Sequence, residues 1–228
     1  MIGIIGAMKI EVEGFNAEMQ NPVCETFSGI TYTRGTLCGK EVVTAVCGVG
    51  KVFAAVCAQT MALKYSPSLI INTGVGGSLS PELSVGDVAV ASSVVQHDMD
   101  TTALGDEKGL LSGINMVNLP CDVNAVQAMK NSLSSLGIHC ISGVIASGDQ
   151  FISSNDAKKR IVSEFNAVVC EMEGASIGHV CYINKTPFIV VRAVSDSADG
   201  GAVEDFPKFA KESSEKSIKA VKKFLELY

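Results

Sequence analysis

Six short, almost wholly apolar runs recur along the chain: IGIIG at 2–6, SLIINTG at 68–74, DVAVASSVV at 87–95, residues 141–146, AVVC ending at Cys170, and PFIVVRAVS at 187–195. Helically spaced stretches alternate with them, near 9–19, 52–64, 124–136, 157–165, beyond Glu173, and over 206–225. Strands that are apolar on both sides must be covered on both faces, and helices flanking a sheet do this. ITYTRG and KEVVTAVCG read as a hairpin-like pair around Thr36–Lys40. No composition break divides the 228 residues and no repeat period stands out, so the expectation is one α/β domain over 1–228 with a mixed central β-sheet flanked by helices. Glycines 48, 50, 74, 76, 77 and 148 are expected at element ends, where turn chemistry places them.

With 47% hydrophobic residues and a mean hydropathy of +0.31, the chain has enough apolar material for a large core. No run approaches the ~18 apolar residues of a membrane helix. The opening MIGIIGAM is short and lacks the charged start of a signal peptide, so no membrane partner and a cytoplasmic location are expected. Eight scattered cysteines without a C-x-x-C pair read as reduced, small core residues. Three histidines share no ligand spacing, so neither a metal nor another cofactor is expected. A net charge of −6 with three arginines, Arg34, Arg160 and Arg192, argues against a nucleic-acid surface.

In sheets of this kind ligands bind beyond the carboxyl ends of the strands. The segments there are GAMKIE, CGVGK, NTGVGGS, SGDQFI, CEMEGA and RAVSDSAD. Taken singly, each has an ordinary explanation. Glu11 and Glu13 suit a helix N-terminus, Phe151 suits a hydrophobic staple before a cap at Ser154 or Asn155, and NTGVGGS lacks the lysine of a nucleoside triphosphate loop. Taken together they are harder to explain as structure. Glu11, Glu171, Glu173 and Asp196 all fall at strand ends, with Arg192 alone to balance them. Unpaired buried carboxylates are costly. Such a set suits a reaction in which positive charge develops on a sugar while an acid protonates the leaving group.

The motifs GIIGAM-x-x-E, INTG-x-x-G, SGD-x-F, VCEMEGAS and RAVSD-x-AD, in this order from Ile2 to the final helix, resemble those of the 5′-methylthioadenosine/S-adenosylhomocysteine nucleosidases, within the purine nucleoside phosphorylase/uridine phosphorylase superfamily. The resemblance implies a homodimer that releases adenine from a 5′-thio-substituted adenosine by hydrolysis. It implies Asp196 as the acid that protonates adenine N7, Glu11 as the base that activates water for attack at C1′, and Arg192 as an aid in placing that water. It implies Glu173 at the ribose hydroxyls, Ser195 and Val75 among the substrate-binding residues, Met172 against sugar and base, and the backbone of Phe151 and Ile152 at the adenine edge. Met8, Val49 and Phe206 are implied in the 5′-alkylthio pocket, with Thr101 and Leu104 contributed to the pocket of the partner chain. Val75 stands where the family often has serine. Glu171 is left outside the catalytic set as a structural carboxylate paired with a backbone donor or a lysine. Related enzymes cleave 5′-deoxyadenosine or 6-amino-6-deoxyfutalosine, and the residues do not rank these substrates. The alternatives are a phosphorylase of the same superfamily, which would need several arginines for its phosphate, and a catalytically silent adenosine-binding protein.

Overall fold

A computed structural model describes residues 1–228. Its elements run in chain order as β1 (Ile2–Gly6), α1 (Lys9–Asn16), β2 (Gln20–Phe27), β3 (Ile30–Leu37), β4 (Lys40–Val46), α2 (Lys51–Tyr65), β5 (Leu69–Ser78), β6 (Val88–Gln96), β7 (Leu119–Pro120), α3 (Val123–Ser135), β8 (Cys140–Ser147), α4 (Asn155–Phe165), β9 (Ala167–Glu171), α5 (Gly174–Asn184), β10 (Phe188–Asp196) and α6 (Ala202–Leu227). The expected α/β class, with a mixed sheet flanked by helices, is what the chain adopts. No helix is long and apolar enough to cross a membrane.

β5 organises the sheet. Its first half pairs in parallel with β1, from Ile2 opposite Leu69 to Ile5 opposite Asn72. Its second half pairs antiparallel with β9, with Gly77 opposite Cys170. Along its whole length it pairs in parallel with β10, which sets Arg192 opposite Gly74. β10 continues to β6, β6 to β8, and β8 to β9, so these five strands close on themselves. β1, β4, β3 and β2 extend the sheet outward from β5. Closure removes two open edges and gathers the carboxyl ends of β1, β5, β8, β9 and β10 around one space.

β5 is longer than expected. NTGVGGS is strand, not turn, and its glycines are there for close approach. A Cβ at Gly74 would lie 2.4 Å from Glu11 Oε1, one at Gly76 2.7 Å from Val169, and one at Gly77 2.8 Å from Asp196 Oδ1. Two further strands, β2 and the short β7, had no expectation attached to them. The eight cysteines are free thiols.

Candidate active site

Each strand end delivers one piece of the site. After β1, the chain turns into α1, and Glu11 folds back over that turn. Its Oε2 accepts from the amides of Ala7 at 2.8 Å and Met8 at 2.9 Å, while Oε1 accepts from the amide of Val75 at 3.0 Å. The residue therefore caps its own helix, as the ordinary reading of GAMKIE had it, and is at the same time buried against β5. Burial pushes its pKa up, against the lowering effect of Arg192 and the three amides.

After β4, Gly48 and Gly50 both have left-handed φ, 96° and 100°, which a side chain would resist. This bend aims the Gly50 amide at Glu173 Oε1, 2.9 Å away. Glu173 sits between β9 and α5, and burial followed by repulsion from Glu171 raises its pKa to about 7. At the end of β10, Asp196 accepts from Ser195 Oγ at 2.8 Å and from the Ala198 amide at 2.9 Å. Burial raises its pKa as well, with the two hydrogen bonds opposing.

These carboxylates share a cavity of about 360 Å³. Its wall includes Met8, Glu11, Val49, Val75, Phe151, Ile152, Met172, Glu173, Ser195, Asp196 and Phe206, so most of the sequence-predicted residues meet there. Ala7, Gly76, Gly77, Gln150, Cys170 and Glu171 complete it and had not been singled out as lining. Four carboxylates line the cavity and no lysine, arginine or histidine does.

Three positions differ from expectation. Arg192 does not reach the wall. It is 2% exposed, ion-paired to Glu171, hydrogen-bonded to Asn72 Oδ1 at 2.5 Å, and 3.9 Å from Glu173 Oε2. Thr101 and Leu104, expected to serve the partner's pocket, lie outside this chain's own cavity, and Leu104 is 83% exposed. The staple residue before α4 is Ile152, not Phe151: Ile152 is buried in a cluster with Ile161 and Phe165. Phe151 instead stands 46% exposed, edge-on to Phe206 with ring centroids 5.6 Å apart. Pinned by its side chain, Ile152 keeps its backbone N–H and C=O unpaired within the chain, at the cavity wall. Glu171, read as structural with a backbone or lysine partner, does accept from the Glu173 amide at 3.1 Å and the Gly174 amide at 2.8 Å. Its cationic partner is Arg192, not a lysine.

The family model of the phosphorylase superfamily matches residues 1–226. The 5′-methylthioadenosine/S-adenosylhomocysteine nucleosidase of Shewanella halifaxensis (strain HAW-EB4) is 39% identical over 210 residues, 91% of each chain. This chain belongs to the 5′-methylthioadenosine/S-adenosylhomocysteine nucleosidase family. Among solved members of the family, the enzyme from Neisseria meningitidis in complex with methylthio-immucillin-A superposes with a TM-score of 0.96 at 34% identity, covering 99% of this chain and 98% of that one. The futalosine hydrolase of Helicobacter pylori strain 26695 is also similar, with a TM-score of 0.92 at 33% identity over 99% of this chain and 97% of that one. Nucleosidases are hydrolases of N-glycosidic bonds, and membership makes the chain an enzyme of that class.

Proposed function

We propose that the enzyme hydrolyses the N-glycosidic bond of 5′-methylthioadenosine and S-adenosylhomocysteine, and in doing so releases adenine. The observation that carries this reading is the cavity wall: four carboxylates and no cation within it. Asp196, whose pKa burial raises, passes a proton to adenine N7 as the C1′–N9 bond breaks. A protonated purine leaves far more readily than an anion. Glu11 takes a proton from the water that bonds to C1′, so the sugar leaves with a hydroxyl there. Positive charge on the sugar in the transition state is stabilised by Glu11 more than the neutral ground state is.

The other residues hold the ligand. Glu173 accepts from the ribose hydroxyls, Met172 packs against sugar and base, and the unpaired backbone groups of Ile152, with those of Phe151, pair with the adenine edge. Ser195 donates to the acid and keeps it oriented. Met8, Val49, Phe151 and Phe206 form an apolar end suited to a 5′-alkylthio group, and Val75 adds apolar surface where a serine would add a hydroxyl. Arg192 offsets the negative charge from behind the wall, through Glu171 and Glu173. A phosphate dianion would meet carboxylates and no cation, which weighs against phosphorolysis.

A homodimer belongs to the same proposal. α2 exposes Val52, Phe53, Val56 and Leu63, and a helix apolar on its outer face is one a partner covers. In such a dimer Leu104, which is exposed, and Thr101 near it would contribute to the partner's pocket. The deciding experiment is adenine release from 5′-methylthioadenosine in phosphate-free buffer, repeated with phosphate. Release without phosphate, yielding the free sugar, supports the reading. Release that requires phosphate makes the enzyme a phosphorylase and removes Glu11 as base.

A further inference from the structure

Glu171 is the carboxylate of the site that the hydrolysis leaves without a task, yet it is the most heavily engaged. Ser147 Oγ donates to its Oε1, Arg192 to its Oε2, and the Glu173 and Gly174 amides complete the set. Ser147 Oγ also accepts from the Ala175 amide at 2.7 Å. One side chain thus ties together the ends of β8 and β9, the middle of β10 and the first turn of α5. Glu173, two residues on, meets the same guanidinium only at 3.9 Å and directs its other oxygen to Gly50. Two carboxylates compete for one arginine, and Glu171 holds it.

We infer that Glu171 is a positioning residue: by occupying Arg192 and the opening amides of α5, it keeps Glu173 from folding back into an ion pair and leaves it facing the cavity. This rests on the reading of Glu173 as the ribose-binding group. Charge points the same way. The ionisable groups around Glu173 are Glu171 on β9, Arg192 on β10, Glu11 on α1 and the Cys47 thiol after β4. Burial and Glu171 hold the Glu173 proton on to about pH 7, Glu11 adds to this, and Arg192 opposes it. Burial pushes the Cys47 thiol well above its usual range, so it stays neutral. Removing the charge of Glu171 leaves Arg192 to Glu173 alone. Glu173 then swings from Gly50 toward the guanidinium and loses its proton at lower pH.

The test pairs infrared titration of the buried carboxyl band with steady-state kinetics on 5′-methylthioadenosine. In the wild type a band titrating near pH 7 is expected, absent from Glu173→Gln. In Glu171→Gln it moves to about pH 6 or below, as loss of a neighbouring like charge requires. KM measured above pH 8 rises about tenfold or more while kcat stays within about threefold, since the loss is in holding the ribose. A merely structural role would lower the melting temperature without moving the band. If the band persists in Glu173→Gln, does not move in Glu171→Gln, or if kcat falls at unchanged KM, the inference is overturned. Should Glu171→Gln fail to fold, Glu171→Asp decides: too short to hold Arg192 in place, it raises KM with kcat kept, and an unchanged KM refutes the positioning role. The proposed reaction fails separately, as absence of adenine release from the wild type, and the infrared result still stands on its own.

Discussion

A single methyl group at Gly74 should disable this enzyme while barely unsettling its fold. The Cβ of Gly74→Ala would stand 2.4 Å from Glu11 Oε1 and 2.9 Å from its Cδ, whereas ordinary contact begins near 3.4 Å. Gly74 lies mid-strand, opposite Arg192 of β10, so the backbone has little room to retreat. The carboxylate must therefore withdraw by about 1 Å, and a misplacement of that size at a catalytic group costs roughly 100-fold in rate. The Val75 amide loses its 3.0 Å bond to Oε1, which costs about 1–3 kcal/mol for a buried donor left unpaired. Replacing glycine by alanine in a strand returns roughly 0.5–1 kcal/mol. Net destabilisation is then about 1 kcal/mol, against a loss of about two decades in kcat/KM. Adenine release kinetics and urea unfolding read the two quantities separately. Gly113→Ala, where an added Cβ meets nothing within 4 Å, should change neither. A Gly74→Ala enzyme with kcat/KM within about threefold of wild type would refute the idea that this glycine exists to admit Glu11.

Further outcomes follow from the same geometry. Asp196→Asn keeps the shape and loses the proton, so turnover should fall by about 10²–10⁴ while 5′-methylthioadenosine still binds in equilibrium dialysis; near-normal turnover would remove Asp196 as the acid. For Glu173, the folded protein holds the proton more tightly than the unfolded chain does. Its contribution is therefore most favourable below the usual carboxyl value of 4.5 and is lost as pH rises to about 7. The loss is at most about 3 kcal/mol, and the stability difference between wild type and Glu173→Gln, followed by urea unfolding at pH 5 and pH 8, should shift in favour of the variant at pH 8. Phe53→Asp on the exposed face of α2 should yield a monomer near 23.8 kDa by sedimentation equilibrium where the wild type shows twice that mass. A wild type that sediments as a monomer would end the dimer proposal.

Periodicity made most of the fold readable. The apolar runs ending in Gly6, Val95, Cys170 and Ser195 and the helices between them lie within a few residues of the elements the chain forms, because burial on both faces leaves a continuous Val/Ile signature. β2 has no such signature. It is an exposed edge strand, QNPVCETF, with a proline and an irregular register, held chiefly by backbone bonds to β3 that no side-chain pattern announces. The site residues were legible as types at strand ends, since a buried carboxylate without an evident partner is conspicuous in a sequence.

What no linear pattern carried was partnership. That the five strands close, that Gly74, Gly76 and Gly77 are contact points and not turns, and that Arg192 belongs to Glu171 all depend on pairings between segments up to 120 residues apart. Charge and hydropathy are properties of single residues, so the chain declares them directly. A carboxylate's pKa, its partner and its freedom to face a ligand are properties of the distances around it, and those exist only once the sheet has closed.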